Sequence, residues 1–328
     1  MDLFSKMYDM FFIKQWSIGL CYGSKEDVLN HGIDKLNFTW IPNHISNRFM
    51  ADPFLARNKM NELFLFYEDF ILDEWIGKIR MCKLDSHFNV IEETEVLNTG
   101  SHLSYPYVYE AEGNLYLMPE ASKGGQHYAY EIDFDNKRLI NRKLIFPDIQ
   151  LLDASIIFHE GKFWLFATHR GIHSNNQLHI YFSNKWDGPY APHKLNPVKD
   201  NADGSRPAGD FVIVNGQLYR PTQNCKAYYG KSITFNRVLK LSENSFEEVA
   251  HIEIRPFKKT DFNYAIHTIN FSGNVIVVDR LRRIFSPMTQ IRSFLRRKLN
   301  ITGVFFSTLY IITCQENALF GSGLMIES

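Results

Sequence analysis

Leu152-Asp153-Ala154-Ser155, running through Gly161 to Phe166-Ala167-Thr168-His169, is one copy of a phrase that this chain repeats five times. Each copy opens on a polar residue, continues as an alternating apolar run, turns, and returns along a second apolar run to a polar end. The other copies run from Ala51-Asp52-Pro53-Phe54 through Asn61 to Tyr67-Glu68 and from Ser104-Tyr105-Pro106-Tyr107 through Gly113 to Pro119-Glu120. Two more run from Ser205-Arg206-Pro207 through Gly216 to Thr222-Gln223, and from Ala265-Ile266-His267-Thr268 through Gly273 to Val278-Asp279. The turn residues return at a period of roughly 50 residues, the size of a four-stranded propeller blade rather than of a helical repeat. Glycine after Glu112, Glu160, Asn215 and Ser272 supplies the positive φ of a tight hairpin. One such unit cannot bury both of its faces, whereas five stacked around an axis bury them against one another and leave few free edges.

The rest of each unit supplies further strands. Gly77 to Leu84 and Val90 to Leu97 complete the first, Tyr128 to Phe134 and Leu139 to Phe146 the second, and Gly230 to Leu241 with Glu247 to Ile254 the fourth. In the third, Leu178 to Phe182 is followed by the turn signal Asp187-Gly188-Pro189. The fifth is short of strands, because a basic stretch begins after Asp279. Trp16 to Tyr22 reads as a strand ended by Gly23-Ser24, and with Phe38 to Ile41 it is expected to close the ring beside the last hairpin. The expected fold is therefore all-β: a five-bladed propeller over residues 15–285 with a short basic helical extension over 286–328.

Between Arg280 and Lys298 lie seven basic residues and no acidic one, with Ile291, Phe294, Leu295 and Leu299 at helical spacing. A basic amphipathic helix can rest on an anionic membrane surface or pack on the propeller rim. Val304 to Cys314 is too short to span a bilayer, which takes about 20 apolar residues. Lys+Arg and Asp+Glu balance at 36 each, which argues against a nucleic-acid partner and suits a carbohydrate or sugar-phosphate ligand. Cys21, Cys82, Cys225 and Cys314 have no paired spacing, as expected of reduced thiols. Charged residues interrupt Met1 to Trp16, so no secretory signal is read there, and a cytoplasmic setting is expected.

First strands line the channel of a propeller, so Asp52, Tyr105, Asp153, Arg206 and His267 are expected to converge. The second-strand ends Glu68, Glu120, His169, Gln223 and Asp279 should lie near one rim. Acids, a guanidinium, imidazoles and an amide at a concave mouth are what sugar hydroxyls and two-carboxyl glycosyl chemistry require. Asp52, Asp153 and Glu120 are the catalytic candidates, with Tyr105, His169, Arg206, Asp210, Gln223 and His267 as substrate-binding candidates. Arg206 could pair with Asp210 or grip an anion bidentately, and Glu68, beside Asp69, reads as exposed surface charge. No paired Cys or His spacing marks a metal site, and no glycine loop marks a phosphate site.

Ala51-Asp52-Pro53-Phe54, Leu152-Asp153-Ala154-Ser155 and the run from Gly188 to Val198 resemble the five-bladed propellers of the family 43 glycoside hydrolases. Trp16 to Gly19, Ser104 to Tyr107, Met118 to Glu120 and His267 to Asn270 carry a closer resemblance, to the N-terminal domain of plant glucosamine inositolphosphorylceramide transferase and its bacterial homologues. The hydrolase resemblance implies an Asp base or nucleophile in blade one, matched by Asp52, and an acid in blade three, where Asp153 stands. It also implies a tuning carboxylate in blade two, where Tyr105 stands instead, unless Glu120 reaches in. An axial calcium or water near His267 is implied as well. Transfer of glycosyl units in surface polysaccharide or glycolipid assembly is therefore expected, with hydrolysis and non-catalytic glycan binding as alternatives.

Overall fold

The structure is a computed structural model and describes residues 11–42, 47–121, 124–257 and 260–287. Five antiparallel sheets follow the five phrases. Blade one is β3 (Arg48–Arg57), β4 (Leu63–Ile71), β5 (Ile76–Leu84) and β6 (Val90–Leu97), in that order from the axis outward. Blade two is β7 (Leu103–Ala111), β8 (Asn114–Ala121), β9 (His127–Asp133) and β10 (Arg138–Phe146). In blade three β11 (Leu151–His159), β12 (Lys162–His169) and β13 (Gln177–Ser183) are edged by two short pieces, β14 (Ala191–Pro192) and β15 (Lys199–Asp200). Blade four is β16 (Val212–Val214), β17 (Gln217–Asn224), β18 (Ser232–Ser242) and β19 (Ser245–Ile254).

Blade five closes as the sequence implies. β20 (Ile269–Ser272) and β21 (Val275–Phe285) are joined by the N-terminal β1 (Phe12–Tyr22), with β2 (Thr39–Trp40) outside it. Hydrogen bonding the first strand to the last removes the two edges an open ring would expose. One short helix, α1 (Lys25–His31), is capped by Ser24, whose Oγ accepts from Asp27 N.

The basic stretch is corrected in part. β21 continues past Asp279 to Phe285, so Arg280, Arg282 and Arg283 are strand residues. The Arg280 guanidinium lies over Trp40 and Phe262, 3.1 Å and 4.0 Å from their ring centroids, and Arg282 Nε donates to Gln15 Oε1 at 2.7 Å. The predicted helix beyond Pro287, its arginines and the run from Val304 lie outside the described residues. Two compact units divide the chain, Lys14–Ile284 and Met1–Ile13 with Phe285–Ser328. Within the second, Phe285 packs on Phe11 and Phe12, and Ser286 N donates to Phe11 O at 2.8 Å.

Local chemistry accounts for the blades. Glu112-Gly113, Glu160-Gly161 and Asn215-Gly216 each take two successive positive φ values, 54° and 77°, 49° and 79°, 51° and 74°. These form the hairpin turn whose twist matches that of its strands. In blade five the register pairs Ser272 with Val275, so the turn is Gly273-Asn274. Large rings fill the space between blades: Phe66 and Phe166 are wholly buried, and Phe54 meets Tyr105 and Tyr107 edge to face at 4.9 and 5.6 Å. Cys21, Cys82 and Cys225 are buried and unpaired. Among the described residues no helix is long and apolar enough to cross a membrane.

Candidate functional site

The opening phrases of blades one to three share a backbone device. In each the β-ladder slips between the residue before the key side chain and a later one: Ala51/Phe54, Ser104/Tyr107 and Leu152/Ser155. The slipped residues Asp52, Tyr105 and Asp153 take φ of 51°, 44° and 51°. A bulge with its first residue in the left-handed region re-aims one side chain and bends the strand. For tyrosine that conformation is strained, and it persists because the surroundings hold it.

Those side chains stitch the axis. Asp52 Oδ2 accepts from Tyr105 N at 3.1 Å, joining blades one and two, and Glu120 Oε2 accepts from Asp153 N at 3.3 Å, joining two and three. Arg206 Nε and Nη2 donate to the two Asp153 oxygens at 2.5 and 3.3 Å, and Gln223 Nε2 adds a third bond at 2.8 Å, joining three and four. Asp210 N donates to Asn270 Oδ1 at 2.7 Å between four and five. Thr268 Oγ1 donates to Asp52 Oδ1 at 2.9 Å and Asn270 Nδ2 to Pro53 O at 2.7 Å, closing five onto one. Beneath this layer the Tyr105 hydroxyl reaches across to Gly209, accepting from its N at 2.9 Å and donating to its O at 3.2 Å. Only glycine fits there, since φ is +135° and a Cβ would stand 2.1 Å from Ile269 O.

Five carboxyls are buried in this cluster: Asp52, Glu68, Glu120, Asp153 and Asp279. Low-dielectric burial of like charges cannot leave all of them ionised. Burial, with the neighbouring Asp153, pushes Glu120 up to about 8 against the pull of Arg206. Burial also lifts Asp52 to about 6, partly offset by His267. Glu68 is driven well above the usual carboxylate range, by burial and by Asp52 and Glu120. Glu68 therefore departs from the exposed surface charge read from the sequence. Its Oε1 lies 3.6 Å from His102 Nδ1, and Gly77 makes room for it, because a Cβ there would approach that oxygen to 2.5 Å.

His267 is raised, since Asp279 and Asp52 outweigh the effect of its burial. Its Nδ1 lies 2.5 Å from Asp279 Oδ2, its ring stacks on Trp16 at 3.9 Å, and Tyr229 stands edge-on at 5.3 Å. Asp52, His267 and Asp279 offer ligand atoms within 4.8 Å of one another. However, Asp279 Oδ1 already accepts from His267 N and Thr268 N, its Oδ2 from His267 Nδ1 and Asp52 N, and both Asp52 oxygens are taken. A calcium ion takes six to eight oxygens, waters among them; these carboxylates, engaged by protein donors, hold the His267 imidazole between two acids.

Other candidates fall differently. Asp210 pairs with Tyr107, whose hydroxyl donates to Oδ1 at 2.8 Å, while Arg206 goes to Asp153; an Arg206 to Asp210 pair is not formed. His169 is not brought to the cluster: it stacks on His179 at 3.7 Å and its Nε2 meets Tyr181 OH at 2.7 Å. Its phase is the reason. Ala51 pairs with Glu68 and Ser104 with Glu120, but Leu152 pairs with Thr168, so Thr168 is the counterpart and His169 faces the other way. Arg170, half exposed, puts Nη2 3.9 Å from Glu120 Oε1, and the Arg206 guanidinium lies 5.0 Å from the Tyr229 ring. Neither Arg170 nor Tyr229 stands in the repeated phrase. Asp279 does, as the polar end of its last copy.

Five blades closed by the N-terminal strand, with acids gathered where the inner strands meet, define a five-bladed propeller with a charged axial site. The family model of glucosamine inositolphosphorylceramide transferase 1, N-terminal, matches residues 39–267, more than half of the chain, and the chain belongs to that family. A curated relative of this name from Oryza sativa subsp. japonica is 35% identical over 210 residues, which is 62% of this chain and 28% of the relative. Its Arabidopsis thaliana counterpart is 30% identical over 260 residues, 71% of this chain and 33% of the relative. The chain thus spans about a third of the length of the curated relatives it matches. Among solved structures, an α-L-arabinofuranosidase from Podospora anserina in complex with cellotriose overlays with a TM-score of 0.54 at 12% identity, covering 73% of this chain and 93% of its own. An exo-1,5-α-L-arabinanase from a bovine ruminal metagenomic library gives 0.50 at 12% identity, covering 71% and 93%. These two likenesses concern the fold.

Proposed function

We propose that this propeller acts on carbohydrate, transferring a glycosyl unit in the assembly of a surface polysaccharide or glycolipid, with Asp52 and Glu120 as its working carboxyls. The observation that carries this reading is that Asp52 and Glu120 are buried in one cluster where the inner strands meet. Asp52 lies beside His267 and Glu120 beside Asp153 and Arg170, and these surroundings divide the acids. Glu120, up at about 8, keeps a proton at neutral pH, whereas Asp52, at about 6, gives its proton up. A proton-holding acid and an ionised carboxylate in one site are the pair that glycosyl chemistry uses. Glu120 protonates the departing oxygen; Asp52 faces the anomeric carbon as base or nucleophile. Asp153, gripped by Arg206 and Gln223, is a positioning carboxylate whose backbone N–H orients Glu120. The names of the relatives support a glycosyl-transferring setting.

Hydrolysis remains the second reading, because water can replace the acceptor without changing either carboxyl's part. The test is a product assay with sugar-nucleotide donors in one arm and aryl glycosides in the other, on wild type, Asp52→Asn and Glu120→Gln. A glycosylated acceptor supports transfer, and free sugar supports hydrolysis. Turnover unchanged in both variants would overturn the assignment of the site.

A further inference from the structure

Among the second-to-third-strand pairings described for blades one to four, that of blade two is the shortest, two residue pairs, Tyr116 with Glu131 and Leu117 with Tyr130. The matching ladder in blade one runs over nine pairs, from Leu63 with Leu84 to Ile71 with Ile76. A groove of about 170 Å³ lies across one face of blade two, lined from all four of its strands.

Its lining is mixed. Tyr128 and Tyr130, two residues apart and so on one face of β9, present half-buried rings; Pro119, Leu103 and Ala121 form an apolar floor; Ser101, Thr99, Gln126 and Arg142 supply polar groups. Arg142 lies over the Tyr128 ring at 4.4 Å, and the Tyr128 hydroxyl donates to Gln126 Oε1 at 2.6 Å. Among the described residues the Gln126 amide nitrogen and the Ser101 hydroxyl make no protein hydrogen bond. Flat aromatic and apolar surface beside planar polar side chains suits a sugar ring, which offers a C–H face and a rim of hydroxyls. The groove lies on the opposite face of blade two from the carboxyl cluster, for Pro119 and Ala121 line it while Glu120, between them in β8, faces Asp153.

We infer that this groove on blade two is a second carbohydrate-binding site, separate from the carboxyl cluster, which holds a neutral sugar unit of a glycan. The inference rests on the carbohydrate reading proposed above, but binding here needs no turnover. Tyr130 gives the ring platform; Arg142 and Gln126 give hydroxyl contacts.

The experiment is amide-shift NMR titration of the full chain with cellobiose, lactose and N,N′-diacetylchitobiose in turn, on wild type, Arg142→Ala, Tyr130→Ala, Tyr130→Phe and Glu120→Gln. At least one disaccharide is expected to shift the amides of Gln126, Tyr128 and Tyr130 in wild type. Glu120→Gln and Tyr130→Phe should keep that binding. Arg142→Ala, at an exposed position that the fold does not need, should weaken it several-fold, and Tyr130→Ala about tenfold, equivalent to roughly 1.4 kcal/mol. Thermal melting identifies a Tyr130→Ala chain that fails to fold, in which case Arg142→Ala decides. No groove shift with any of the three sugars, or equal affinity in Arg142→Ala and wild type, overturns the site. Groove binding in a chain with neither transferase nor hydrolase activity would sink the proposed reaction and leave the groove site standing.

Discussion

Blades one to three and blades four and five solve the same problem differently. In the first group the inner strand is long and bulged, and it delivers Asp52, Tyr105 and Asp153 from strained left-handed positions. In the second group the inner strand shrinks to Val212–Val214 and Ile269–Ser272, and only isolated bridges at Pro207 and Ala265 mark the phrase. Arg206 and His267 come from that irregular backbone, which buried partners hold in place. Arg220, wholly buried, donates to the carbonyls of Gly204 and Ser205 immediately before Arg206. Asp279 accepts from the backbone N–H groups of His267 and Thr268. The regular half supplies Asp52, Glu68, Glu120 and Asp153; the irregular half supplies Arg206, His267 and the fifth acid, Asp279.

The largest expected effect lies in the regular half. Asp52→Asn or Glu120→Gln should cut turnover by about 10²-fold to 10⁴-fold, the usual scale for removing a positioned acid or base. Initial rates on whichever donor the product assay identifies would measure it, and a loss below tenfold would detach these carboxyls from the chemistry. From the irregular half, Arg206→Ala leaves Asp153 buried with Gln223 as its remaining side-chain donor. A cost of about 3 to 5 kcal/mol is expected for breaking such a pair, read from urea unfolding, and Asp153→Asn in the same chain should restore part of it.

Protonation sharpens the contrast further. Activity should rise as Asp52 ionises near pH 6 and fall as Glu120 loses its proton near pH 8. Stability has its own slope. Because Glu120 is raised from 4.5 to about 8, the folded chain holds a proton that the unfolded chain has lost. Stability therefore declines as pH climbs through that window. The His267 contribution is complete below 6.5 and fades as pH rises through its raised value, in the same direction. Glu120→Gln should flatten the melting temperature between pH 5 and 8; an unchanged slope would show that Glu120 is ionised when folded. The smallest effect concerns the turns shared by both halves. Glu160, at φ 49° before Gly161, is an uncommon residue for that place, and Glu160→Asn should stabilise by a few tenths of a kcal/mol, visible as a slightly higher melting temperature.

Much of this was legible in the chain. Alternation and hairpin chemistry are local, so the repeat, its period and the strand contributed by Trp16 to Tyr22 could be read directly. His169 and Glu68 depart from that reading. His169 and Thr168 are adjacent polar residues at a strand end, and taking the last polar residue in place of the seventh after the hairpin turn residue picks the wrong one. Leu152 pairs with Thr168 just as Ala51 pairs with Glu68 and Ser104 with Glu120, with the same bulge in all three blades, so Thr168 faces the axis. Glu68 beside Asp69 looks like surface charge until both faces of β4 prove to be covered, since all nine of its residues are buried. The groove on blade two was likewise hidden, because which residues of its four strands share one face is set by cross-strand register.

Sequence by itself determined five blades, their order and their closure, because each follows from side-chain periodicity and turn residues within about 50 positions of one another. Tertiary structure alone decided which acids keep their protons. Asp52 and Asp279 are separated by 227 residues in the chain, and Asp153 meets Arg206 only because their blades are neighbours in the ring. Charge interaction depends on distance and burial rather than on separation along the chain. The chemistry of the axis therefore exists only once the ring has closed.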